Sequence, residues 1–177
     1  MNQMNNPIND LMKAFTFAAN AHKDQRRKGN GGAPYINHLI EVAYLLTDVE
    51  NINDIGIIQA AILHDVLEDT NTEIDVLLAN FGDRVSQIVI NLTDDKSHSL
   101  EQRRKDQLAH LSSAPTEIKL IKLADHCSNI SSIPSNWDNQ RIESYLQWSK
   151  AVATLCFDAS DALAKAYLSK YEQVVSK

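Results

Sequence analysis

Backbone interruptions are scarce in this chain, and no other feature restricts its possible folds as much. Five glycines and four prolines punctuate 177 residues, and Gly29, Gly31, Gly32 and Pro34 are crowded into one short stretch. The gaps that remain are long enough for helices, while the two-residue alternation of half-buried strands is scarcely visible. A hydrophobic content of 44% supplies one ordinary core for a chain of this length. These features predict an all-α fold, a single-domain helical bundle spanning residues 1–177.

Helix signals divide the chain further. Asn6 followed by Pro7 marks a helix start, and Leu11, Phe15, Ala18, Ala19 and His22 share one face of a run expected to stop at Gly29. "KGNGGAPY" at 28–35 reads as a loop, and Asn37 to Leu46 returns to helical spacing. A third helix is expected from near Asn53 through "ILHDVLEDT" at 62–70, followed by Thr72 and Asp75 as a variant capping box. A short helix to about Asn80, Gly82 as separator, and the helix "DRVSQIVINLT" come next. "DDKSHS" at 94–99 reads as a flexible surface loop. Helices are expected at about 100–111 and 116–131, then after Pro134 around Tyr145 and Trp148, and finally to near Tyr171. There is no repeat, low-complexity tract or interdomain linker.

The formal charge of −6 argues against nonspecific nucleic-acid or anionic-membrane binding, so an anionic ligand needs a local basic patch. "MNQMNNPIND" lacks the basic and apolar regions of a signal peptide, and no apolar stretch is long enough for a membrane span. A cytoplasmic protein is expected. Cys127 and Cys156 lack CxxC spacing, which favours buried reduced thiols.

The stretch "ILHDVLEDT" places His64, Asp65, Glu68 and Asp69 where the hydrophobic pattern demands core. A buried carboxylate without a partner is costly, so it neutralises, pairs with a cation or binds a metal. With His38 just after the Gly-rich loop and Asp125 after the apolar run "IKLIKLA", His64 and Asp65 complete a set of natural ligands for a divalent ion. Each of the four taken singly reads better as a partnered core group or a helix cap than as a ligand. Together they are harder to dismiss, because Asp125 sits inside a strongly apolar helix.

Histidine, a contiguous His-Asp and a distant Asp resemble the signature of the HD superfamily of metal-dependent phosphohydrolases. Five ordered blocks sharpen the likeness: "AHKDQRRKGNGGAPYINH" at 21–38, "AAILHDVLEDT" at 60–70, "LTDDK" at 92–96, "IKLADHCSNI" at 121–130 and "RIESYLQWS" at 141–149. They are similar to the hydrolase domain of the RelA/SpoT family, especially its small stand-alone members, from about Ala18 to Trp148. The resemblance implies an HD-superfamily bundle. It also implies a hydrolase that uses one Mn²⁺ ion to remove the 3′-pyrophosphate of the guanosine alarmones ppGpp and pppGpp. The chain is too short to hold the synthetase domain of long members, so degradation without synthesis is expected.

Residue by residue, the resemblance implies metal ligands at His38, His64, Asp65 and Asp125. It places Glu68 and Asp69 beside the attacking water, although Asp69 reads equally well as a helix terminator or cap. Arg27 and Lys28, within "HKDQRRK", are assigned to substrate, with Arg27 stacking on the base; the competing reading is a solvated helix end. Asn129 and Tyr145 match nucleotide-facing positions, and a Tyr near Trp148 is also a common core element. Tyr35 is expected to fix the loop. Two residues depart from the family pattern: Leu39 where Pro is usual, and His126 where Lys or Arg is common. The first is expected to alter local rigidity, the second to leave a weaker, titratable charge near phosphate. Competing functions are an HD phosphatase acting on another nucleotide with a ribose phosphate, such as a phosphorylated dinucleotide, and a nucleotide-binding module without turnover.

Overall fold

The structure, a computed structural model, describes residues 6–176. Its helices are α1 (Pro7–Ala21), α2 (Ile36–Tyr44), α3 (Ile55–Leu63), α4 (Val66–Asp69), α5 (Ile74–Leu92), α6 (Leu100–Leu111), α7 (Thr116–Ile130), α8 (Asn139–Cys156) and α9 (Asp161–Val175). No strand forms among the described residues; the one extended pairing is an isolated antiparallel bridge between Arg26 and Pro34. None of these helices is long and apolar enough to cross a membrane.

Two helices organise the interior. The α3 sequence "IGIIQAAIL" has almost no polar face, and such a helix is stable only when surrounded. It packs against α1, α2 and α5. The second is α7, buried continuously from Ile118 to Ser128 and packed against α2, α8 and α9. Because α2 touches both, His38 on α2, His64 just beyond α3 and Asp125 on α7 project from the centre of the bundle. Cys127 and Cys156 are free and buried, as expected.

Caps account for several starts. The Asn6 side chain accepts from the Ile8 N–H at 3.1 Å, with Pro7 in the first helical turn. Asp54, Ser99, Asp138 and Ser160 cap α3, α6, α8 and α9 in the same way. Gly82 separates the two halves of the 74–92 segment through a left-handed φ of 74°.

Four expectations need correction. The first helix ends at Ala21, not at Gly29. Beyond it the backbone turns back on itself, with the Arg27 N–H on Ala33 O at 2.9 Å and the Tyr35 N–H on Gln25 O at 3.2 Å. The basic run is therefore a loop rather than a helix end. The third helix also does not continue through the His-Asp pair: α3 stops at Leu63 and a separate turn of helix starts at Val66. Thr72 and Asp75 form no capping box. Glu73 occupies the N-cap of α5 without a side-chain bond, and Thr72 instead donates its N–H to Thr70 Oγ1 at 3.1 Å. The last helix runs four residues beyond Tyr171, to Val175.

Candidate active site

The break between α3 and α4 shapes the centre of the site. Asp65, at φ −100°, leaves regular helix geometry, and its carboxylate swings toward the imidazole of its own neighbour. Asp65 Oδ2 lies 3.0 Å from His64 Nε2 and 3.7 Å from His38 Nε2. From α7, Asp125 Oδ1 lies 3.1 Å from His38 Nε2 and 3.7 Å from His64 Nε2. His38, His64 and Asp65 offer one ligand atom each within 4.8 Å of one another, and Asp125 approaches both imidazoles from α7.

These residues fit a cation. Both Nε2 atoms are buried without a hydrogen-bond partner. His64 Nδ1 donates to the Ala61 carbonyl at 2.7 Å, which leaves its Nε2 free to present a lone pair to a metal. Burial alone would push both aspartates up, but the two imidazoles outweigh it and hold Asp65 below, and Asp125 well below, the usual carboxylate range. Burial likewise opposes charge on His64, yet Asp65 and Asp125 raise it well above an ordinary histidine. Two carboxylates thus favour positive charge between two buried imidazoles, which a proton or a metal ion can provide.

A cavity of about 400 Å³ opens over this cluster, a size suited to a small ligand. Its floor includes Asp65, Glu68, Asp69 and Asp125, and one wall is the 25–29 loop with Arg27 and Lys28. Glu68 is partly buried; it accepts from the Asp94 N–H at 3.2 Å and lies 3.8 Å from Arg103. Desolvation leads the effects that raise its carboxyl above the usual range. The Asp69 carboxylate accepts from Gln25 and from Lys96, so it joins the basic loop to the 94–99 loop instead of capping a helix. Lys28 is exposed at the rim.

Arg27 is placed differently from the expected base-stacking role. Its guanidinium is buried and donates to Ser128 Oγ and Asn129 Oδ1, both at 3.2 Å, and to Ser132 Oγ. It lines the cavity while spending most of its donors on the end of α7. Asn129 in turn donates to Asp125 Oδ1 at 2.6 Å. Tyr145 lines the opposite wall between Trp137 and Trp148, with ring centroids 5.4 and 5.8 Å away. Tyr35 does more than fix its loop, because its hydroxyl donates to Asp65 Oδ2 at 2.6 Å. Leu39 is core, fully buried on α2.

His126 overturns the expected titratable charge. It is buried against Trp148 and Ser149, and desolvation, helped by the charge on Lys122, pushes it down to about 4. At neutral pH it is an uncharged wall residue. A buried cation, Lys122, lines the cavity one turn before Asp125. Burial opposes its charge, but Asp125, Asp94, Asp65 and Glu68 keep it raised. Arg103, Arg104 and Gln107 also line the cavity from α6. The sequence reading misses both sets, and helical spacing is the one signal that could have found them: Lys122 precedes Asp125 by three residues, and Gln107 lies three and four residues after 104 and 103.

Gly29 holds this wall in place. A Cβ there would fall well inside contact distance of the Ser132 carbonyl, which is backbone and cannot swing aside. Gly29→Ala is therefore expected to lift the loop from α7 and to destabilise the protein by about 1–3 kcal/mol, as overpacking does. Thermal unfolding of parent and variant measures the effect, and an unchanged midpoint would show that the loop yields freely.

The fold and its four converging groups define a helical domain with a centre suited to a divalent metal. The chain belongs to the HD-domain family, whose family model matches residues 14–155. It is 40% identical over 146 residues to the guanosine-3′,5′-bis(diphosphate) 3′-pyrophosphohydrolase MESH1 of Danio rerio, covering 80% of this chain and 81% of that one. The enzyme of the same name from Mus musculus is 36% identical over 167 residues, covering 92% and 93%. A solved structure of a metazoan SpoT orthologue that hydrolyses ppGpp superimposes with a TM-score of 0.88 at 33% identity, covering 93% of this chain and 94% of that chain.

Proposed function

We propose that this chain removes the 3′-pyrophosphate of ppGpp and pppGpp, leaving GDP or GTP and pyrophosphate, with Mn²⁺ held by His38, His64, Asp65 and Asp125. The observation that carries this reading is that Asp65 and Asp125, which meet His38 and His64, line a cavity that Arg27, Lys28, Arg103, Arg104 and Lys122 also line. A polyphosphate needs those cations, because the chain as a whole carries a charge of −6. The same net charge supports a small nucleotide over a nucleic acid. Mixed imidazole and carboxylate ligands without a thiolate suit Mn²⁺. Buried reduced Cys127 and Cys156 fit a cytoplasmic setting.

His38, His64, Asp65 and Asp125 would hold a divalent ion, which would supply Lewis-acid activation of water and of the scissile phosphoryl group. Glu68, fixed by the Asp94 N–H, orients the attacking water and accepts its proton. Asp69, tied to Gln25 and Lys96, keeps the two loops at the mouth in register. Lys28 and Lys122 meet the phosphates, Asn129 faces the sugar and Tyr145 packs on the nucleotide. Arg27 joins that wall to α7 and adds its charge to the phosphate end.

Purified protein with Mn²⁺ and a panel of ppGpp, pppGpp and phosphorylated dinucleotides, with the products identified, tests the proposal. Pyrophosphate release from the two alarmones, abolished by a chelator and restored by Mn²⁺, is expected. Full activity in exhaustively metal-free protein would end the mechanism, and consumption of a dinucleotide alone would transfer the assignment.

A further inference from the structure

The other nitrogen of His38 leads away from the cavity along a chain of hydrogen bonds. His38 Nδ1 lies 2.9 Å from Ser128 Oγ, and Ser128 Oγ donates to Glu41 Oε2 at 2.7 Å. Arg27 Nη1 reaches the same Ser128 oxygen at 3.2 Å. Glu41, one turn after His38 on α2, is met by Lys170 Nζ from α9 at 3.4 Å, and Lys170 also donates to the Cys127 carbonyl at 3.2 Å.

Donor and acceptor capacity determine the direction of this chain. A serine hydroxyl has one proton and two lone pairs, an ionised carboxylate only accepts, and a guanidinium only donates. The Ser128 proton therefore goes to Glu41. One of its lone pairs takes the Arg27 N–H, and the other is left for His38, whose Nδ1 must then carry a proton. A neutral imidazole with its proton on Nδ1 has a bare Nε2, the atom that faces Asp65 and Asp125. We infer that Glu41, braced by Lys170, is a positioning residue that acts through Ser128 to hold His38 in the tautomer that binds metal. His64 needs no such device, since a backbone carbonyl does the same for it. The inference rests on the reading of His38 as a ligand.

Two measurements on metal-free and Mn²⁺-titrated protein test it: the ¹⁵N shifts of His38, which report its tautomer, and the Mn²⁺ dissociation constant. In the parent, Nδ1–H is expected. Glu41→Ala should release the Ser128 proton to rotate, mix the two His38 tautomers and weaken Mn²⁺ by about tenfold or more, as removal of partners behind a ligand does elsewhere. Glu41→Gln, whose amide oxygen can still accept from Ser128, should restore most of both. Glu41 is partly exposed, so neither change disturbs the core. A Glu41→Ala variant with parent tautomer and parent Mn²⁺ affinity overturns the inference. Asp125→Ala run alongside separates the two levels: if it too binds Mn²⁺ like the parent, the metal-site reading itself is wrong, whereas its loss beside an unaffected Glu41→Ala removes only the role of Glu41.

Discussion

Asp125→Ala is expected to lose the metal ion and with it nearly all turnover. The carboxylate lies within 3.1 and 3.7 Å of the two imidazoles and accepts from Asn129, so no neighbour can replace it. An ion that stabilises a developing phosphoryl charge supplies several kcal/mol, which corresponds to a fall on the order of 10³-fold or more. Alanine suits a helix interior, and α7 remains buried on its other faces, so the variant should fold. Metal stoichiometry and pyrophosphate release measured together decide the matter. His64→Ala should behave alike. Normal metal content in Asp125→Ala would exclude it from the ligand set.

Glu68→Gln should give the opposite pairing, with metal retained and chemistry lost. Glutamine keeps the shape and can still accept from the Asp94 N–H, but it cannot take a proton as a carboxylate does. Loss of a positioned general base costs on the order of 10²-fold in rate. Asp69→Asn is the companion measurement. Helix termination alone predicts near-normal activity, whereas a role in holding Gln25 and Lys96 predicts a raised KM. Parent-rate hydrolysis by Glu68→Gln would make Glu68 a bystander.

Helix content was legible because it follows from local signals. Asn6-Pro7 and Gly82 mark boundaries that the structure keeps. The break after Leu63 was not legible, because His64 and Asp65 are both compatible with helix and only the inward pull on Asp65 interrupts it. The basic run was misjudged for a similar reason: its turn is stabilised by contacts with residues 33–35 and with α7, far along the chain from Arg27. Among the site residues, His38, His64, Asp65 and Asp125 converge because their motifs carry the pattern. Lys122 was hidden in a run read as apolar, and the neutral state of His126 depends on burial against Trp148, which only packing reveals.

The bonds from Arg27 to Ser128, Asn129 and Ser132, with Gly29 pressed against the Ser132 backbone, give the molecule a property beyond stability. Asn129 passes the same connection to Asp125, so the wall that faces phosphate and the helix that carries the last acidic ligand move as one body. Affinity and turnover are therefore expected to change together when this wall is mutated. A change that slackens the loop is expected to tilt Asp125, and paired substitutions at Arg27 and Asn129 should fall short of the sum of their separate effects. A chain built this way narrows the routes by which it could acquire a new substrate, since remodelling the 25–29 loop for a different ligand endangers the reaction it would serve.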